Sequence, residues 1–126
     1  MEKSIVHLVD DDPTVRSTLT RLLASGGYRV RTYASGAELI AAADQLIEGC
    51  ILLDINMPEA NGFAVTKALK ERGVELPVVM MTGAGDLTLL AWQAGVAAFV
   101  PKPFGRKEIL SVLDEITEGQ FVATAR

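Results

Sequence analysis

Hydrophobic residues in this chain come in two alternating patterns. Ile5-Val6-His7-Leu8-Val9, Cys50-Ile51-Leu52-Leu53, Pro77-Val78-Val79-Met80-Met81-Thr82 and Val96 to Val100 are short, nearly continuous apolar runs. Runs of that length and β-branched content predict strands buried on both faces. A fifth run, Tyr28 to Tyr33, alternates apolar with polar residues and predicts an edge strand with one wetter face. Between these runs apolar residues recur at helical spacing. Val15, Leu19, Leu22 and Leu23 define a first helix, capped by Asp12 with Pro13 in its first turn and stopped by Gly26-Gly27. Ser35 caps a second, Ala-rich helix from Gly36 to about Leu46, with Glu38 completing a capping box. A third runs from about Phe63 to Arg72, packing through Phe63, Val65, Ala68 and Leu69 and ending at Gly73. A fourth runs from Leu87 to Ala94, capped by Asp86 and ended by Gly95. A fifth, about Arg106 to Glu118, turns Ile109, Val112, Leu113 and Ile116 inward, and Gly119 to Arg126 reads as a tail or the start of a linker.

Strands alternating with helices imply right-handed crossovers and a parallel sheet covered on both faces. In such a sheet ligands bind at the carboxyl ends of the strands, where the strand order reverses. Asp10 and Asp11 follow the first strand, Asp54 ends the third, Thr82 ends the fourth and Lys102 follows the fifth. Each has an ordinary explanation alone, since acids often start helices and Thr suits strands. Their delivery to one sheet edge does not. Three crowded carboxylates require either raised pKa values or a neutralising cation. A hard, oxygen-rich donor set favours Mg2+ or Mn2+. A carboxylate, a hard cation, a hydroxyl and an ammonium together suit phosphoryl chemistry, with the carboxylate as nucleophile.

Composition narrows the function classes. The 126 residues suffice for one domain, are 49% hydrophobic and 22% charged, and carry a net charge of −4. That balance argues against nucleic-acid binding by this segment, and no apolar run reaches the length of a membrane span. The single cysteine, Cys50, allows no internal disulfide, and the first residues lack signal-peptide anatomy, so a cytoplasmic protein is expected. His7 reads as a packed neutral imidazole rather than a ligand. Pro101 has no N–H for the sheet, so strand five is expected to end one residue early. Gly83-Ala84-Gly85 lacks the third glycine of a phosphate-cradling loop, position 88 being Thr.

Val9-Asp10-Asp11, Asp54-Ile55-Asn56-Met57-Pro58-Glu59-Ala60-Asn61-Gly62, Thr82-Gly83 and Lys102-Pro103-Phe104 together resemble the receiver domain of bacterial two-component response regulators, of the FixJ and NarL type, over roughly residues 4 to 118. The resemblance implies a flavodoxin-like and CheY-like (βα)5 fold, doubly wound, with strand order 2-1-3-4-5. It implies a receiver domain over 1–118 and a tail or linker over 119–126. It makes Asp54 the phosphoacceptor, charged by a sensor histidine kinase or phosphotransfer protein. Asp11 and Asp54 would bind Mg2+ directly, Asp10 largely through water, and Asn56 through its backbone carbonyl. Lys102 would pair with the phosphoryl group, Thr82 would be the switch hydroxyl and Phe99 the aromatic that follows it. Lys102-Pro103 would be a cis peptide. Ala84 and Asn56 would tune the lifetime of the phosphoryl group.

The signal would leave through the surface of the fourth helix, fifth strand and fifth helix, which could also support a phosphorylation-dependent homodimer. Leu89 and Trp92 lie off the Leu87–Leu90–Ala94 stripe, as a partner patch or as core packing. Such a domain is a regulatory phosphoacceptor rather than an enzyme with a turnover substrate, assisting only its own phosphotransfer and dephosphorylation. It would control transcription through an output domain, since no helix-turn-helix follows residue 118, or act alone by protein contact or as a phosphate sink. Competing readings fare worse. An Asp-nucleophile phosphatase needs an acid two residues on, where Asn56 stands, and a dinucleotide or flavin site needs a glycine-rich loop where three acids stand. A metal-free, interface-only domain is disfavoured by the intact set of site residues.

Overall fold

The computed structural model of the protein describes residues 4–55, 62–82 and 95–125. Strands β1 (Ile5–Val9), β2 (Arg29–Tyr33), β3 (Cys50–Asp54), β4 (Val78–Thr82) and β5 (Ala98–Pro101) form one sheet in the order β2-β1-β3-β4-β5. Every neighbouring pair is parallel. The helices are α1 (Pro13–Ser25), α2 (Gly36–Ala41), α3 (Gly62–Glu71) and a C-terminal helix (Arg106–Ala125), with a 3-10 turn at Ala43–Gln45. This is the doubly wound α/β architecture that the alternation predicts.

Successive strand residues point to opposite faces, so an unbroken aliphatic run fills two cores at once. Ile51 and Leu53 pack with Val9, Leu39, Val65 and Leu69 beneath α2 and α3. Leu52 packs on the other face with Leu8, Leu19, Leu23, Ile109 and Leu113, under α1 and the C-terminal helix. His7, in the middle of β1, is 2% exposed. Its Nε2 lies 3.2 Å from the Glu48 carbonyl, which can only accept, so Nε2 carries the proton and Nδ1 accepts from the Tyr33 hydroxyl at 3.0 Å. Burial holds its pKa below the usual value, as a packed neutral imidazole requires.

Local chemistry fixes most element ends as expected. The Asp12 carboxylate accepts from the N–H groups of Thr14 and Val15 at the start of α1. Gly27 takes the left-handed conformation after α1, with φ at 96°, and Gly73 does so after α3, with φ at 82°. The capping box at α2 is shifted by one residue: Ser35 accepts from Glu38 N, but Glu38 accepts from Ala34 N rather than from the cap itself.

Three boundaries differ from expectation. The second helix stops at Ala41 instead of about Leu46, because Leu46 must turn into the core, where it is 5% exposed, and the 3-10 turn tightens the chain to bring it there. Strand five includes Pro101, which stands in register with Thr82. β5 is an edge strand with a neighbour on one side only, so a residue without an N–H is accommodated. The last helix runs through Gly119 to Ala125 rather than ending at Glu118. One interior glycine costs only about 1 kcal/mol relative to Ala, too little to end a helix by itself. The expected fourth helix, with Asp86, Leu89 and Trp92, and the Gly83-Ala84-Gly85 stretch lie outside the described residues.

Candidate functional site

The sheet order reverses between β1 and β3, and their register places the site. Val9 stands beside Leu53, so the next residues, Asp10 and Asp54, leave the two strands side by side. Asp54 pairs with Met81 and Thr82 with Pro101, which brings Lys102 to the same edge one residue later. Ligating oxygens of Asp10, Asp11 and Asp54 all fall within 4.8 Å of one another. The Lys102 ammonium lies 3.4 Å from Asp54 Oδ2 and 4.0 Å from Asp10 Oδ2. Asp10 and Asp54 are buried, at 1% and 6% exposure, while Asp11 faces solvent.

Each acid is held by local structure. Asp10 Oδ1 accepts from the Asp12 N–H at 2.9 Å, and the Asp10 N–H donates to the Tyr33 carbonyl at 3.3 Å. Arg16, one turn into α1, donates from Nη1 to the Asp10 carbonyl at 2.7 Å. After Asp54, Ile55 donates to Met81 O and accepts from Gly62 N, each at 3.0 Å. Gly62 sits so close that a β-carbon there would stand 3.0 Å from Ile55 Cα and 3.4 Å from Asp54 O. Lys102 precedes Pro103 through a cis peptide bond.

The electrostatics follow from this crowding. Burial raises the Asp10 carboxyl above its usual range; the Asp12 N–H opposes that rise, the Asp54 charge adds to it, Lys102 opposes it and Asp11 adds to it. Asp10 Oδ2 is buried and has no hydrogen-bond partner among the described residues. A buried carboxylate oxygen normally finds one. An orphaned oxygen among three convergent carboxylates is a donor set that fits a hard divalent cation of the Mg2+ kind.

The structure thus brings together Asp10, Asp11, Asp54 and Lys102. The backbone of Thr82 ends β4 at the same edge. Phe99 stands opposite Met80 in register and packs, half-buried, against the core beneath α2 and α3. Asn56 lies outside the described residues. The sequence pattern passes over Arg16 and includes Gly62 only as the last residue of the motif that begins at Asp54. The signal for Arg16 was a single cation shortly after three consecutive acids, and the signal for Gly62 was a glycine opening a helix.

An acid-lined site of this kind, at the reversal point of a parallel five-stranded sheet, marks a small doubly wound α/β domain whose donor set fits a hard cation. The chain belongs to the response regulator receiver domain family, which it matches over residues 6–114. It is therefore a signalling domain of the class of phosphorylation-controlled switches. It is similar to the transcriptional regulatory protein FixJ of Azorhizobium caulinodans, 39% identical over 110 residues, covering 86% of this chain and 52% of that protein. It is also similar to the response regulator protein TmoT of Ectopseudomonas mendocina, 34% identical over 114 residues, covering 89% of this chain and 52% of that protein. The chain thus spans about half the length of these curated relatives. The crystal structure of FixJ-N superimposes with a TM-score of 0.86 at 29% identity, covering 94% of this chain and 96% of that one. No helix among the described residues is long and apolar enough to cross a membrane.

Proposed function

We propose that the domain accepts a phosphoryl group on Asp54 from a phosphohistidine of a sensor kinase or phosphotransfer protein. The observation that carries this reading is the meeting of Asp54 with the buried Asp10, the exposed Asp11 and the Lys102 ammonium at 3.4 Å. An Asp54 oxygen attacks phosphorus in line; the P–N bond to the imidazole breaks, the nitrogen keeps its electron pair, and an acyl phosphate forms on Asp54. Lys102 lies where it can follow the charge of the transferring group. Asp10, Asp11 and Asp54 would hold Mg2+ or Mn2+, with the Asn56 carbonyl as a further ligand. That cation, when bound, supplies charge neutralisation for the three acids and the incoming phosphoryl oxygens.

Thr82 is the hydroxyl that turns toward the acquired oxygens, and Phe99 takes the space it leaves. Phosphorylation adds about −1.5 to −2 charges and three acceptor oxygens, enough to bias such a rearrangement. The altered surface, around β5 and the C-terminal helix, would regulate an output domain or a second copy of the chain. A role in transcription is supported by the resemblance to FixJ. The receiver unit on this reading is 1–118, it works in the cytoplasm, and its catalysis is confined to its own phosphotransfer and dephosphorylation. An apolar groove of about 520 Å3, lined by Thr14, Val15, Thr18, Leu19, Lys102 and Phe104, opens beside Lys102 and supports access by a protein donor.

The test is intact mass after addition of Mg2+ and acetyl phosphate, beside Asp54→Asn. One added phosphoryl group that needs Mg2+ and is lost in the variant is the expected result. A folded, cation-binding wild type that takes up neither phosphoryl nor beryllofluoride overturns the reading.

A further inference from the structure

Only three residues, Asp10 to Asp12, separate the end of β1 from the first residue of α1. Two of them carry site carboxylates, so the direction of each depends on the backbone of this short link. The carboxylate and N–H of Asp10 are held from within the domain, by the Asp12 N–H and the Tyr33 carbonyl. The Asp10 carbonyl is held by a side chain: Arg16 Nη1 donates to it at 2.7 Å. That carbonyl belongs to the Asp10–Asp11 peptide, whose plane sets where the exposed Asp11 side chain projects. Arg16 is itself half-buried, and its backbone N–H donates to the Asp12 carbonyl at 3.0 Å, so its stem rises from the turn that Asp12 caps.

Three carboxylates within 4.8 Å repel one another whenever no cation lies between them, and the link that carries two of them would relax by rotating a peptide. A short, charge-assisted hydrogen bond to the peptide oxygen opposes that rotation. We propose that Arg16 is a positioning residue of the cation site: through the Asp10 carbonyl it keeps Asp10 and Asp11 aimed at Asp54 before the cation arrives. The inference rests on the reading that these acids bind a divalent cation.

The experiment is titration of free Mn2+ by its paramagnetic resonance signal against wild type, Arg16→Met and Arg16→Lys, with urea unfolding of each. Methionine keeps an apolar stem and helix propensity but removes the donor. The expected result is Mn2+ binding weakened roughly tenfold in Arg16→Met, the low end of what losing a group that orients a ligand costs. Arg16→Lys, which restores a cationic donor without the guanidinium fork, recovers part of that loss. A role confined to stability would shift the unfolding midpoint and leave the affinity of the folded protein unchanged. Equal Mn2+ affinity in wild type and folded Arg16→Met overturns the positioning role alone. A wild type that takes up no Mn2+ overturns the cation reading, and the proposal with it.

Discussion

Gly62 and Ile55 meet without room for a side chain between them. The Gly62 N–H donates to the Ile55 carbonyl at 3.0 Å, and a β-carbon on Gly62 would stand 3.0 Å from Ile55 Cα, 3.3 Å from Met80 Cε and 3.4 Å from the Asp54 carbonyl. The chain that leaves β3 after Asp54 is back against that strand here, and α3 begins at this contact. The closeness constrains the backbone of Asp54 itself.

Gly62→Ala is therefore expected to act against the ordinary rule. In an unconstrained helix, Gly to Ala gains about 1 kcal/mol. Here the Met80 methyl can give, but the Ile55 and Asp54 backbone cannot, so stability should fall by roughly 1–3 kcal/mol, the usual cost of overpacking. Phosphoryl uptake from acetyl phosphate should slow as well, because Asp54 is displaced. Urea unfolding and a mass time course check both, and a stabilised variant with normal uptake would refute the argument.

Asp10 is expected to weaken the cation-free fold at neutral pH. Its folded pKa is raised, first by burial, so the folded state binds the proton more tightly than the unfolded chain. The stability linked to that proton is present below the unfolded value and is lost as pH rises through the folded one. Asp10→Asn removes the buried charge and should raise the urea midpoint of the metal-free protein at pH 7. It should also weaken Mg2+ binding. Thermal unfolding with and without Mg2+ distinguishes the two effects: wild type should gain from the cation and the variant should gain less.

His7 titrates with the opposite sense. Burial lowers its pKa, the Glu48 carbonyl bond opposes this, Arg31 lowers it further and the Glu48 carboxylate opposes. The unfolded chain thus takes up the proton first as pH falls. The stability linked to the neutral ring is present above about pH 6.5 and is lost as pH drops through the folded value. The chain contains one histidine, so its ring protons are unambiguous in a proton NMR titration. A midpoint below the usual value and a falling urea midpoint from about pH 7.5 to about pH 5.5 are expected. A midpoint at or above the ordinary histidine value would show that the Tyr33–His7–Glu48 arrangement does not hold the neutral ring.

The sheet and the meeting of Asp10, Asp11, Asp54 and Lys102 were legible because both rest on periodicity. Continuous aliphatic runs specify buried parallel strands, and polar residues at their carboxyl ends must share an edge. What was not legible depends on contacts between distant residues. Leu46 draws the chain out of its helix after Ala41 because a core position waits for it, which no local propensity encodes. Pro101 joins β5 because that strand has a free edge, a property of the sheet and not of the residue. Arg16 becomes part of the site only once α1 folds back over Asp10.

Tyr28 and Asp114 offer a test of how the C-terminal helix is held. Three residues spaced four apart on that helix meet the turn between α1 and β2. Arg106 Nε donates to Ser25 Oγ at 3.0 Å, Leu110 packs so closely on Gly26 that a β-carbon there would lie 2.5 Å from Leu110 Cδ2, and the Tyr28 hydroxyl donates to Asp114 Oδ1 at 2.6 Å. Tyr28 is 4% exposed, and its ionisation is pushed well above the ordinary range by burial and then by the Asp114 bond. A short, partly buried bond to a carboxylate contributes about 1.5–3 kcal/mol. Tyr28→Phe should cost that much, and a double-mutant cycle with Asp114→Ala should return a coupling of at least about 1 kcal/mol, since residues in contact do not add independently. The same contact makes a second, spectroscopic expectation. Of the two tyrosines, Tyr28 should resist ionisation in the folded protein until the fold itself fails in alkali, and Tyr28→Phe should remove that late step from the ultraviolet titration. Additive single-variant losses, within about 0.5 kcal/mol, would show that Arg106 and Leu110 hold the helix without help from Tyr28.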